Sequence, residues 1–278
     1  MIWNRWRLAW ARHAEARALA RRPIPAGLWK RTLVRYPFLR RRDDPAAAEL
    51  LRLTRLFLDR KEFTAEGGLR LRDDMVVAIA AQACLPILRL GLERYDGFVG
   101  IVVHPDQVRA RRSVEDDDGV VHEYDEVLSG EAVQGGPVML SWRDVRGAGE
   151  SAAVGYNVVI HEFAHVLDMA DGLANGVPAL AGDIRPAEWS ATFSREYEAF
   201  QAAVGAGRET LLDPYAAQGP EEFFAVVSES FFVDPAQLLA THPALYALLA
   251  RYYRQDPAAE GLPRRGRAAA PSPTKLGA

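Results

Sequence analysis

The chain has 278 residues, 49% hydrophobic and 26% charged, with 34 Lys+Arg against 37 Asp+Glu for a formal charge of −3. This balance excludes a disordered or fibrous chain and supplies apolar surface for one large or two small domains. The single cysteine, Cys84, excludes a disulfide framework and a thiolate-rich metal site, and its apolar neighbours read as packing for an inert thiol.

The charge is unevenly spread. Residues 1–42 hold twelve Lys/Arg and one acid, Glu15, for a net of +11, which leaves −14 on the remainder. Arg5, Arg7, Arg12 and Arg17 interrupt any apolar leader, so no export signal is read here and the expected location is cytoplasmic. Trp3, Trp6, Trp10 and Leu19 interleave with the arginines. That pattern suits either a solvated, partly helical arm lying over an acidic body or an arm that touches an anionic lipid surface or nucleic acid. The first reading is preferred, and direct nucleic-acid binding is not expected, because no nucleic-acid fold signature follows.

Beyond Pro23, Pro25 and Pro37, a helix is predicted over 44–60, with Leu50, Leu51, Leu53, Leu56, Phe57 and Leu58 on a broad apolar stripe. Gly67-Gly68 marks a turn between short extended flanks. Asp73 or Asp74 is expected to cap a helix over 75–92 that Pro86 interrupts. The apolar run 75–88 contains Gln82 and Pro86 and is too short for a transmembrane segment. A buried strand is predicted over 99–103, a charged loop over 109–119, and a strand or ribbon near 120–122 and over 126–133. A second clear strand, 138–142, is a place where a bound peptide could add by main-chain pairing. Helices are then expected through His161 and His165, running out by Asp171-Gly172, over 188–204 and 221–232, and from Pro235 or His242 to Tyr253. From Pro257 onward the composition reads as a disordered tail. The division is a basic arm (1–42), a catalytic domain (43–256) and a tail (257–278).

The chain is organised around Gly155-Tyr-Asn-Val-Val-Ile-His161-Glu162-Phe-Ala-His165-Val-Leu-Asp168. A helix that is apolar nearly all round is a buried one. Imidazoles at i and i+4 share a face and can reach one ion, while Glu162 stands beside them as a general base for water. Two histidines and a glutamate on a buried helix are costly unless something pairs them. The histidine and carboxylate set points to zinc, with three protein ligands and one open position.

Two sources of a third ligand stand open. Asp171 sits where the longer H-E-x-x-H-x-x-G-x-x-H pattern places its last ligand, but that pattern needs Gly at the position of Asp168. Alternatively, a glutamate comes from the apolar helix at 221–232, where Glu222 and Glu229 share a face. Glu229 could equally hold the N–H of a ligand histidine.

The helix motif, Pro214-Tyr-Ala-Ala-Gln-Gly-Pro-Glu-Glu-Phe-Phe-Ala-Val-Val-Ser-Glu229, and Cys84-Leu-Pro-Ile-Leu-Arg-Leu-Gly-Leu-Glu-Arg-Tyr-Asp-Gly-Phe98 together resemble the Mlc titration factor A family. Its members are bacterial cytoplasmic zinc peptidases whose metal site is similar to that of the anthrax lethal factor catalytic domain. The resemblance runs over about 31–257 and includes Val120-Val-His122 and Gly136-Pro-Val-Met-Leu-Ser-Trp142; the first 30 residues and the tail match less well. It implies a zincin-like, mainly helical α+β fold with a small mixed sheet. It also implies His161, His165 and Glu222 as zinc ligands, Glu162 as general base, Tyr215 as hydroxyl donor to the oxyanion, and His122 as a residue able to approach the metal. The expected activity is aminopeptidase-like hydrolysis of short peptides. The alternative function is capture of a transcriptional repressor, since the family's namesake binds the glucose repressor Mlc.

Overall fold

The computed structural model describes residues 2–115, 121–149, 155–180, 182 and 184–260, with the backbone alone at 2–5, 7–9, 11, 12, 109–115 and 121–127. The stretch 261–278, which holds most of the expected tail, lies outside the described residues.

Two helices open the chain, α1 (Ile2–Arg21) and α2 (Ala26–Arg35). Pro23 and Pro25 separate them, because proline offers no N–H to continue a helix. Tyr36, Phe38 and Leu39 follow and are buried in the common core, although they belong to the basic stretch 1–42. Next comes α3 (Asp44–Arg60), which starts where the Asp43 carboxylate accepts from the Ala46 N–H at 3.1 Å. This side-chain cap supplies a partner to one of the free N–H groups of the first turn.

α4 (Asp73–Ala83) is shorter than the expected 75–92. The ring of Pro86 disfavours helical backbone in the residue before it, so the helix ends early and the chain continues in turns to Tyr95. Neither aspartate is the cap. Arg72 holds that place, and Asp73 and Asp74 sit in the first turn, where the helix dipole favours them.

The sheet is small and mixed. β1 (Glu62–Ala65), β2 (Gly100–His104) and β6 (Val138–Ser141) run parallel, and β5 (Gly130–Ala132) pairs antiparallel with β6 at the edge. Ile101, Val103, Val138 and Leu140 are buried, so one face of the pleat supplies the core. Because β6 has neighbours on both sides, it cannot accept a further strand, and the expectation of peptide pairing at 138–142 is corrected. The edge beside the site belongs to β5.

A separate antiparallel pair, β3 (Val108–Glu115) and β4 (Val121–Leu128), replaces the first part of the charged loop expected over 109–119, at 109–115, and 116–119 lie outside the described residues. Strand pairing uses main-chain groups, so a run without apolar alternation can form it while leaving no period for a sequence reading to detect.

The remaining helices are α5 (Trp142–Gly147), α6 (Val158–Asp168), α7 (Pro186–Gly205), α8 (Pro220–Val233), α9 (Pro235–Thr241), α10 (Pro243–Tyr253) and α11 (Pro257–Glu260). The fold is therefore the mainly helical α+β architecture expected, with the sheet as its minor part. α6 lies against α8, and its Phe163 sits among Phe57, Tyr95 and Phe98 with ring centroids 5.0–5.8 Å away. Burying such a ring cluster anchors α6 firmly; truncating one member to Ala costs about 3–5 kcal/mol. Among the described residues no single helix is long and apolar enough to cross a membrane.

Candidate metal centre

The site is built from the start of α6. Asn157 caps this helix, its side-chain oxygen accepting from the Ile160 N–H at 3.0 Å. The Asn157 Nδ2 donates to Gln82 Oε1 on α4 at 2.8 Å, and the Asn157 backbone N–H donates to Glu229 Oε2 on α8. One buried asparagine thus ties three helices together at the point where His161 leaves the first turn. Asn157, Gln82 and Glu229 are all buried, so each of these bonds substitutes for water that cannot reach them.

Glu229 Oε1 lies 2.7 Å from His161 Nδ1. A carboxylate accepting there holds the imidazole proton on Nδ1 and leaves Nε2 with its lone pair. That lone pair faces the centre of the site. His161 Nε2 is 3.2 Å from His165 Nε2 and 3.1 Å from Glu222 Oε2, and His165 Nε2 is 3.5 Å from Glu222 Oε1. Ligand atoms of all three residues lie within 4.8 Å of one another.

These residues fit a metal on two grounds. Ligands about 2.0–2.1 Å from a tetrahedral zinc stand about 3.3 Å apart, which matches the spacings here. In addition, Glu222 Oε2 is buried with no hydrogen-bond partner, despite its closeness to His161 Nε2. A ring nitrogen and a carboxylate oxygen facing each other in a buried site call for a cation between them, a metal ion or, in its place, a proton. The electrostatics agree. Burial alone disfavours a charge on His161, but the Glu222 and Glu229 carboxylates overcome it and raise its pKa well above the ordinary imidazole value. Burial likewise opposes ionisation of Glu222, yet the two histidines hold its carboxyl down at about 2.

Glu162 is buried beside this cluster, and burial pushes its carboxyl above the ordinary range. Its side chain rests against Gly130 on β5: a Cβ added there would lie 2.5 Å from Glu162 Oε1. Only glycine lets the edge strand come this close. A cleft of about 980 Å³ opens onto the site, lined by His161, Glu162, Gly130, Tyr156 and Tyr215 among others. That size suits a peptide or a drug-sized ligand. Tyr215 is partly exposed, with its ring centroid 6.1 Å from that of His161, and its turn is held by Asp213 Oδ1 accepting from the Tyr215 N–H at 2.9 Å.

The structure thus brings His161, Glu162 and Tyr215 to one cleft, with His165 and Glu222 clustered against His161. Asp171 is turned away: it is exposed and its Oδ1 accepts from the Leu173 N–H at 3.1 Å. His122 lies on β4 opposite Val114, and its side chain is outside the described residues. Asp168, the residue that departs from the longer histidine motif, is fully buried and accepts from the Gly176 N–H at 2.9 Å, so it pins the loop after the helix. Burial pushes its carboxyl up to about 6. The sequence reading missed Gly130, Tyr156, Asn157 and Gln82. For Gln82 a signal existed, a lone amide inside an apolar helix, and for Asn157 its place just before a helix; the other two carried none.

Two helix-borne imidazoles and a carboxylate clustered beside a cleft are the arrangement of a metallopeptidase, and the comparison with known families agrees. The chain belongs to the glucose-regulated metallo-peptidase M90 family, whose profile matches residues 8–254. It is 39% identical over 225 residues to Mlc titration factor A of Edwardsiella ictaluri, covering 80% of this chain and 85% of that protein. It is 36% identical over 239 residues to Mlc titration factor A of Cronobacter sakazakii, covering 84% and 87%. A Synechocystis protein, slr2042, is similar at 37% over 241 residues, covering 86% and 87%. The resemblance drawn from three motifs is therefore shown over most of the chain.

Proposed function

We propose that this chain is a zinc-dependent peptidase acting on short peptides in aminopeptidase-like fashion, with the metal held by His161, His165 and Glu222. The observation that carries this reading is the convergence of three ligand groups within 4.8 Å, one of them with a buried oxygen that lacks any hydrogen-bond partner. When bound, zinc acts as a Lewis acid that activates water and polarises the scissile carbonyl. Glu162 takes the proton from the attacking water and passes it to the leaving amine. Tyr215 donates its hydroxyl hydrogen to the oxygen on which negative charge develops. Glu229 keeps the His161 proton on Nδ1. The outer side of β5 aligns the substrate main chain beside Glu162.

The test is metal analysis of the purified protein together with hydrolysis of aminoacyl chromogenic substrates, with and without chelator. One zinc per chain and chelator-sensitive turnover are expected. Loss of zinc is expected in His161→Ala, His165→Ala and Glu222→Ala, and its retention in Asp171→Ala. Full zinc occupancy in the histidine variants would overturn the assignment.

His122 is proposed as a further ligand in a resting form, in line with the resemblance. Its alanine variant should keep zinc and show equal or higher basal turnover. A second reading, capture of a transcriptional repressor, is favoured by the name of the curated relatives, Mlc titration factor A. A pull-down from source lysate with the Glu162→Gln variant tests it; recovery of no DNA-binding protein would count against it.

A further inference from the structure

The basic start of the chain plays no part in the metal centre, yet it forms a helix with two distinct faces. One face of α1 is committed to the body. Ala18 is buried, Leu19 packs on the core, Glu15 pairs with Arg52 of α3, and Arg55 of α3 donates to the Leu19 and Arg22 carbonyls. The opposite face carries Trp6 at 70% and Trp10 at 77% exposure, with His13 and Arg17 exposed after them. Positions 3, 6, 10, 13 and 17 follow a 3–4–3–4 spacing, so in sequence Trp3 falls on the same line. At 3.6 residues per turn, position 7 falls about 80° to one side of that line and positions 5 and 12 about 120° and 140° to the other, all three being arginine.

Exposed large aromatics in a row need an explanation, since soluble surfaces seldom carry them together. We propose that this face of α1 is a docking surface for an anionic phospholipid bilayer, lying in the headgroup region with Trp6 and Trp10 inserted and Arg17 at the phosphates. Tryptophan prefers the boundary between apolar and wet environments, and arginine can reach the headgroups while its stem stays among the tryptophans. Charge complementarity supports the choice and orients the chain. The arm carries +11 and the rest −14, so an anionic surface attracts the arm and repels the body.

A second copy of the chain fits less well. Two partly exposed tryptophans offer about 300 Å² a side, far below the roughly 1,200 Å² total that a stable interface buries, and the flanking arginines would repel. Single-stranded nucleic acid could stack on tryptophan, but it needs cations along the stacking line, and there Arg17 is the one permanent cation.

The test uses the full chain and its Trp6→Ala/Trp10→Ala double variant in cosedimentation with two vesicle types, phosphatidylcholine alone and phosphatidylcholine with phosphatidylglycerol. The parent should bind the anionic vesicles and leave the neutral ones. The double variant should bind at least about tenfold more weakly, with an unchanged melting temperature because both side chains are exposed. Arg17→Glu should weaken binding as well, and added salt should release the parent. Absence of vesicle binding, or binding undiminished in the double variant, would overturn the proposal. So would tryptophan-dependent dimerisation, or tryptophan-dependent retention of an oligonucleotide, seen without vesicle binding.

Discussion

Replacing Glu229 by glutamine tests how the outer part of the centre controls its metal. Glu229 accepts from two donors at once, His161 Nδ1 at 2.7 Å and the Asn157 backbone N–H. Glutamine has one acceptor oxygen, and its NH₂ must face the second donor. The Asn157 amide cannot give up its hydrogen, whereas an imidazole can carry its proton on either nitrogen. The variant therefore settles with its oxygen on Asn157, its NH₂ donating to His161 Nδ1, and the His161 proton on Nε2. That nitrogen is the one that points to Glu222 at 3.1 Å and is the proposed ligand. Restoring the useful tautomer leaves a buried donor unpaired, at a cost of about 1–3 kcal/mol. A metal affinity about ten- to a hundredfold weaker follows, the usual range for losing such a partner. A competition titration against a chromophoric chelator reads this directly. The metal-free variant should melt close to the metal-free parent, because every hydrogen bond in it is still made. Zinc held as tightly as by the parent would refute the tautomer argument. A large loss of metal-free stability would instead make Glu229 a strut between helices.

Three further outcomes are expected. Tyr215→Phe should keep its zinc and near-normal KM while kcat falls about a hundred- to a thousandfold, as for loss of one oxyanion donor; a raised KM with unchanged kcat would make Tyr215 a specificity residue. Gly130→Ala places a Cβ 2.5 Å from Glu162 Oε1, and displacing the base by about an ångström should lower kcat about a hundredfold with zinc retained; unchanged turnover would exclude Glu162 from proton transfer. Asp168 gives a pH signature: its carboxyl titrates near 6 when folded against 3.8 normally, so the folded state holds more protons between these values. Stability contributed by the neutral form is present below about pH 4 and lost as pH rises through 6, by about 2–3 kcal/mol. In metal-free protein, the stability difference between parent and Asp168→Asn should change over that window and be flat above it; no change would place the Asp168 pKa at its ordinary value.

The sequence by itself determined the elements whose physics is local. A buried helix with imidazoles four apart must present both to one side, and the apolar residues around His161 and His165 leave no other face for solvent. The stripe at 44–60 and the acids of the helix at 220–233 were legible for the same reason: helical period and burial cost act within one segment. Pro86 was visible too, though its effect was underestimated, because a proline acts on the residues before it.

What only the tertiary structure decided are the matters that join segments distant in the chain. Asp171 and Glu222 were chemically equal candidates, and packing of α8 on α6 brings Glu222 within 3.5 Å of both histidines while Asp171 turns out to cap a local turn. Glu229 could have been a ligand or an orienting group until its oxygen was found on Nδ1 of His161. Gly130 carries no mark in a sequence, since a missing side chain has meaning only beside the Glu162 carboxylate that occupies its space. Among the described strands the outermost is β5 rather than β6, for a similar reason. Which strand is outermost depends on how strands far apart in sequence are ordered, and no periodicity within one strand records that order.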